Sequence, residues 1–300
     1  MVTNKTPKIK KNLFPALIIL LSTLFMAATS LAGSRTSQYK DNETMIQRGK
    51  AYYYYMAGRT LKESGHTKDA LALYKKALEI DNRSTVLHNE TAEFYLRLGD
   101  YAKAKKHLLA SVKEDTSNAH THVLLAELYT ILKDNDKAAA SYRQAINIDS
   151  ENQSMYLYFA TFYARINEFD KGIDVLQGLI KKQPDSVMAY YYMAKIEVKR
   201  DHLSKAEEYY TKAISLNSTF SPAYSELAMT YEADKQPKLA EKTYRKAISN
   251  LRSKKEFISR LATLLLKGND LKEALKLYSQ LEQYSDTRYG AMAKIGLIYF

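Results

Sequence analysis

Residues 221–249 read SPAYSELAMTYEADKQPKLAEKTYRKAIS. Tyr224, Leu227, Ala228 and Tyr231 fall at i, i+3, i+4 and i+7, which is one face of a helix. Ser221 is a candidate N-cap, and Pro222 suits the first helical position. The segment KQP at 235–237 breaks this pattern, and Pro237 can open a second helix with Leu239, Ala240, Tyr244 and Ala247 pointing inward. The stretch therefore predicts two short amphipathic helices joined by a tight turn.

The same arrangement recurs along the chain. Ala70, Ala104, Ala138, Gly172, Ala206, Ala240 and Ala274 are spaced by 34 residues without slippage. So are Gly58, Ala92, Ala126, Ala160, Ala194, Ala228, Ala262 and Gly296, and so are Tyr74, Leu108, Tyr142, Leu176, Tyr210, Tyr244 and Tyr278. Polar clusters favourable to caps and turns separate the units: DNRST, DTSN, DSEN, QPDS and NSTFSP. The small columns let two antiparallel helices approach closely, and the bulky column fills the space around the crossing.

In this register the sequence resembles the tetratricopeptide repeat family, whose 34-residue unit carries a bulky residue, then Leu-Gly, Tyr, Ala, Phe/Tyr, Ala and often Pro at fixed offsets. In the unit 51–84 those offsets hold Tyr54, Ala57-Gly58, Leu61, Ala70, Tyr74, Ala77 and Asn82. The terminal Pro appears only as Pro184, and the unit 255–288 is loose, with Ile258 and Leu265 where aromatics are usual. The resemblance implies an all-α, right-handed α-solenoid. Its units are 51–84, 85–118, 119–152, 153–186, 187–220, 221–254 and 255–288, preceded by a linker over 33–50 that becomes helical near Thr44. Residues 289–300, YGAMAKIGLIYF, match the first helix of an eighth unit. There Ile295, Leu297, Ile298 and Phe300 are expected to be poorly covered. Either the chain continues naturally or another molecule, a second copy included, completes the array.

The N-terminus carries Lys5, Lys8, Lys10 and Lys11, an almost wholly apolar run from Leu13 to Met26, and small residues through Gly33. Two readings fit: a secretory signal cleaved after Ala32, or after Ala28, and an uncleaved membrane anchor over 13–32. Both place the repeats outside the cytoplasm, periplasmic or secreted in the first case, because the flanking lysines precede the apolar run. The chain has no cysteine, which excludes disulfides, thiolate metal sites and a cysteine nucleophile. The formal charge of +12 is spread along the sequence rather than gathered in blocks.

Tyrosine is over-used: 25 residues, including AYYYY at 51–55 and YYY at 190–192. The family resemblance implies that positions 2, 5, 9, 12 and 13 of each unit line a concave groove, with position 4 packing inside the helix pair. By this rule Tyr54 and Tyr190 pack, Tyr53 lies against the preceding segment, and Tyr192 sits at the groove edge. The implied groove residues are Tyr52, Tyr55, Arg59 and Lys62; then Asn89, Glu93 and Arg97; then Val123, Glu127 and Thr130. Leu157, Thr161 and Arg165 follow, with Tyr158 beside them, and then Tyr191, Lys195 and Lys199. Tyrosine beside Arg or Lys suits an extended peptide, because a ring gives contact area at low entropy cost and cation–π contact. Simple solvation of a concave wall is the competing reading of the same residues. A subgroup of the family clamps a C-terminal carboxylate with Lys, Asn and Arg set over three units. No three consecutive units match it: the first has Tyr55 and Arg59, the second Glu90, the third His120 and Leu124.

His120 and His122 do not share a helix face, so they cannot chelate together, and His88 and His122 fall at packing positions. No His-Glu-x-x-His, glycine-rich phosphate loop or Gly-x-Ser-x-Gly is present. The expectation is a scaffold without catalysis, metal or cofactor. It would bind a protein or peptide segment in the groove, and by analogy its setting is the assembly of an envelope complex for secretion, pilus formation or polysaccharide export. Nucleic acid is disfavoured as a partner. The rival is a regulatory arm of a larger enzyme whose catalytic domain lies beyond residue 300.

Overall fold

The computed structural model describes residues 45–284 and 288–299. The signal or anchor segment, the linker as far as Thr44, and Phe300 lie outside these residues. Everything described is helix or tight connection. Helix α1 covers 45–63. It is followed by α2 (Thr67–Ile80), α3 (Thr85–Arg97), α4 (Tyr101–Glu114), α5 (Ala119–Ile131), α6 (Asn135–Ile148), α7 (Gln153–Arg165) and α8 (Phe169–Lys182). Then come α9 (Val187–Lys199), α10 (Leu203–Leu216), α11 (Ser221–Ala233), α12 (Pro237–Asn250), α13 (Lys255–Lys267), α14 (Leu271–Leu281) and α15 (Arg288–Tyr299). From α3 to α13 the odd-numbered helices start every 34 residues. The chain divides into two compact units between Ser117 and Asn118. Each is an α-solenoid in which a helix packs on its neighbours in sequence.

The boundaries have local causes. Ser84, Asn118, Asn152 and Ser186 cap α3, α5, α7 and α9 through side-chain oxygens that accept from backbone N–H groups. Asp100, Asp134 and Asp270 do the same for α4, α6 and α14. One expectation fails here. Ser221 is already the first residue of α11, and the N-cap is Phe220, with no side-chain cap. Pro222 in the first turn, which needs no N–H partner, does the work of the missing cap. Pro237 does open α12.

The turn inside each helix pair is built on one residue in the left-handed region, again every 34 residues: Gly65, Gly99, Lys133, Asn167, Asp201, Lys235 and Asn269, with φ between 56° and 81°. It closes by paired backbone bonds, such as Lys133 N to Thr130 O at 3.2 Å and Asp134 N to Tyr129 O at 2.9 Å. This is the Schellman ending of a helix. Only two of the seven residues are glycine, so the sequence did not display this column.

The core follows the three columns. All the alanines of the two small columns through Ala274 are fully buried, as are Tyr74, Leu108, Leu176, Tyr210 and Tyr244. The approach is tight: a β-carbon on Gly58 would lie 2.6 Å from the Tyr74 ring. At position 4 a polar tip repeatedly donates to the carbonyl six residues upstream. Tyr156 Oη reaches Ser150 O at 3.0 Å, Tyr224 Oη reaches Ser218 O at 3.1 Å, and His88 Nε2 reaches Asn82 O at 2.9 Å. At α15, Ala291 is buried and Ile295 and Ile298 pack against the neighbouring core cluster. The poor cover expected for those two isoleucines is therefore corrected: both are half-buried against that cluster, while Leu297 (63% exposed) and Met292 are exposed.

Candidate functional site

In the first unit, Tyr52 is 64% exposed and its ring centroid lies 6.4 Å from that of Tyr55. Tyr55 is half-buried and stacks on Tyr74 at 5.9 Å. The two rings border a hollow of about 410 Å³, shared with Arg48, Ala51, Asp81, Ser84, Val86 and Leu87. Tyr53 is exposed and touches only the Tyr54 ring among the described aromatics, while Tyr54 packs against the core as expected.

The remaining expected site residues of this unit are largely tied to one another. Lys62 Nζ lies 2.6 Å from Glu90 and 3.2 Å from Glu93, and Arg97 lies 3.5 Å from Glu93. Lys62 and Arg97 also sit over the Phe94 ring, at 5.8 and 5.1 Å. Arg59 pairs with Glu63 at 3.2 Å. The half-buried Lys62 ammonium is desolvated, which lowers its pKa, but Glu90 and Glu93 outweigh this and raise it.

Position 5 behaves differently from the expectation. Asn89 (4% exposed), Val123, Leu157 and Tyr191 (9% exposed), all one period apart, are buried. The column lies in the seam between packed helices, so Asn89 and Tyr191 are not open groove residues. Tyr191 meets Phe220 edge-on at 5.3 Å and Tyr192 at 5.6 Å, and burial, followed by Glu226, pushes its hydroxyl up to about 12. Lys195 lies 5.4 Å above the Tyr191 ring and 3.7 Å from Glu226. Lys199 is exposed.

Four expected residues of the second unit do come together. Glu127 from α5 and Tyr158, Thr161 and Arg165 from α7 line one cavity of about 300 Å³, with Ile131, Tyr142 and Phe162. The floor is buried: Tyr142 and Phe162 are in ring contact at 5.5 Å. Burial, then Glu127, pushes the Tyr142 hydroxyl up to about 12, so it stays a neutral donor. The rim is open: Tyr158 is 50% exposed, and Glu127, Ile131, Thr161 and Arg165 are exposed. Sequence reasoning named Glu127, Tyr158, Thr161 and Arg165 of the rim but missed Ile131 and the floor. Tyr142 belongs to a packing column, and nothing in the column tells which of its members underlies a hollow.

Two polar clusters escaped the sequence reading. Glu197 is almost fully buried; its carboxylate accepts from His202 Nδ1 at 2.9 Å and lies 3.6 Å from Arg200, which also reaches Asp170 at 2.9 Å. This ties α8, α9 and the start of α10 together. His88 and His107 face each other with Nδ1 atoms 3.0 Å apart, and the His107 ring stacks on Tyr95 at 5.6 Å. Asn82 O can only accept, so His88 carries its proton on Nε2 and its Nδ1 accepts from His107 Nδ1–H. His120 is exposed and His122 half-buried. Among the described residues, no group of three or more His, Cys, Asp or Glu side chains could hold a metal ion, and no helix is long and apolar enough to cross a membrane.

Family models described as tetratricopeptide repeat match residues 61–128 and residues 119–152, 189–220 and 221–250. No curated protein matches the chain in sequence. Among solved structures, the chain is similar to the C-terminal part of a TPR repeat-containing protein from Cytophaga hutchinsonii, with TM-score 0.57 and 16% identity, covering 80% of this chain and 98% of that one. It is also similar to a tetratricopeptide repeat protein from Parabacteroides merdae, with TM-score 0.54 and 15% identity, covering 84% and 100%. At these identities the likeness is one of fold.

Proposed function

Because this chain belongs to the tetratricopeptide repeat family, we propose that it is a non-catalytic scaffold of the cell envelope that holds a protein or peptide segment on the exposed faces of its odd-numbered helices. The observation that carries this reading is the placement of Tyr52 and Tyr158. Each is at least half exposed, each borders a hollow, and neither contributes to the buried core. A large ring left in water beside a concavity is what a partner-binding surface looks like, since burial of that ring on binding is favourable and costs little side-chain entropy. The lysine-flanked apolar run before Gly33 supports export.

The test is site-specific photo-crosslinking in the cells that make the protein. A photoreactive phenylalanine analogue is placed at Tyr52, at Tyr158, and at the exposed Gln177 of α8 as a control. Discrete adducts at the two tyrosines and not at Gln177 are expected. Identical adduct patterns at all three positions, or adducts at Gln177 alone, would overturn the reading. The intact mass of the same purified protein tests the envelope part: a chain starting at Gly33 or at Thr29 is exported and cleaved, and a retained N-terminus that fractionates with membranes is anchored. A retained N-terminus in the soluble cytoplasmic fraction refutes export.

A further inference from the structure

The cavity formed by α5, α6 and α7 has at its rim an aromatic ring without a ring partner and a cation without an ion pair among the described residues. Tyr158 makes no ring contact, and Arg165 makes no ion pair, among the described residues. Several other tyrosines and cations of the second unit are satisfied internally. Lys195 pairs with Glu226 and covers Tyr191, Tyr244 Oη donates to Glu232 at 2.5 Å, and Thr263 and Tyr278 share a hydrogen bond at 3.1 Å.

We infer that this cavity is an anchor site for an acidic peptide segment: an apolar or aromatic side chain enters over Tyr142 and Phe162, and an Asp or Glu next to it binds Arg165. This deepens the scaffold reading and rests on it. Size sets the class of ligand. At about 300 Å³ the hollow lies at the lower end of small-molecule pockets, roughly 300–1,000 Å³. It therefore suits one anchoring side chain of a longer chain. Its floor is built on the Tyr142 and Phe162 rings and its edge carries a further tyrosine ring, so an apolar side chain is desolvated on entry against aromatic surface.

Charge sets the composition and the direction. The Arg165 guanidinium is exposed, and a planar fork prefers a carboxylate, which it can bind through two parallel hydrogen bonds. Lys199, at the end of α9 and one period after Arg165, is a second exposed cation without an ion pair among the described residues. A segment crossing these helices therefore carries its acidic residues on the α7–α9 side of the anchor.

The experiment selects a phage-displayed random dodecapeptide library on the immobilised full chain, with the Tyr158→Ala, Arg165→Glu double variant as counter-selection. Recovered sequences are made as free labelled peptides and titrated by fluorescence anisotropy against the wild type, each single variant, and Tyr52→Ala. Expected are peptides with an apolar residue beside an Asp or Glu, on either side of it. Arg165→Glu and Tyr158→Ala should each weaken them by about 10- to 100-fold, the range of a lost charged hydrogen bond or anchor contact. Both side chains are exposed, so thermal unfolding of the variants should match the wild type; a variant that unfolds early is replaced by Arg165→Gln or Tyr158→Ser. Peptides that are basic, or that bind both variants as tightly as the wild type, overturn the acidic-anchor site. If Tyr52→Ala abolishes their binding, the scaffold reading survives that failure. If no recovered peptide depends on any of these residues, both fail. Tighter, Arg165-dependent binding of a fifteen-residue oligo-dT would also overturn the peptide assignment.

Discussion

His107 makes stability depend on pH in a way that can be worked out beforehand. Burial, then His88, then Lys106 and Lys75, hold its pKa down, from the ordinary 6.5 to about 4. The unfolded chain binds the proton more tightly than the folded one, so the neutral ring's contribution is whole above pH 6.5. It is lost progressively as pH falls from 6.5 towards 4. At ~1.4 kcal/mol per pH unit the drop corresponds to at most about 3 kcal/mol. His107 is half-buried, and solvent screening reduces this to about 1–2 kcal/mol. The variant His107→Asn keeps an N–H near the Nδ1 position, where it can still donate to His88, and removes the titration. Urea unfolding of the full chain, followed by circular dichroism at pH 7.5 and 4.5, gives the pH slope of each protein. Carboxylates titrating in the same interval contribute equally to both, so they cancel in the comparison. The wild type should lose about 1–2 kcal/mol more than the variant on acidification. A variant whose stability falls in parallel with the wild type would refute the depressed pKa and its cause.

Two further outcomes concern packing. Tyr74 Oη is buried with no hydrogen-bond partner among the described residues, so Tyr74→Phe should hold or raise the urea midpoint, by up to about 1–2 kcal/mol, since it removes an unpaired buried hydroxyl and keeps the ring stack on Tyr55 and Phe94. At the left-handed turn column the sign should flip with the residue present. Lys133→Gly and Lys235→Gly relieve a strain of ~1–2 kcal/mol against a glycine entropy cost of ~0.5–1 kcal/mol and gain about 0.5–1 kcal/mol each, whereas Gly99→Ala loses a similar amount, all read as shifts in thermal midpoint.

What the sequence displayed and what it hid follow from the same physics. The alanine columns and the Tyr/Leu column were legible because helix crossing tolerates few side-chain sizes, and the constraint repeats every 34 residues. The turn column was hidden because a left-handed residue needs glycine less strictly than a crossing needs alanine. Lys133, Asn167 and Asp201 occupy it at modest strain. Position 5 was misjudged for a related reason. Periodicity says which residues share a helix face, but a residue at the edge of that face is open or closed according to the helix beside it. Tyr191 is closed by Phe220, which lies in a connecting segment outside the periodic pattern. The His88–His107 pair was invisible because its members sit on different helices, 19 residues apart, at unrelated positions of the repeat.

The candidate site emerges from a contrast that sequence columns do not encode. Position 13 of the repeat is basic at Arg97, Arg165, Lys199 and Lys267. Arg97 lies over Phe94 and reaches Glu93, four residues back on its own helix. Arg165 has Thr161 at the equivalent place, a hydroxyl that already donates to Leu157 O at 2.7 Å. One exchange of Glu for Thr thus separates an arginine that finishes the protein's own surface from one that remains available. The same comparison holds for the rings: Tyr191 is covered by a neighbouring loop aromatic, and Tyr158, one position further round its helix, is not. In an array whose packing columns are fixed, a binding site need not announce itself by an unusual residue. It arises where an ordinary residue is left without its usual internal partner, and that absence becomes visible only when the helices are set side by side.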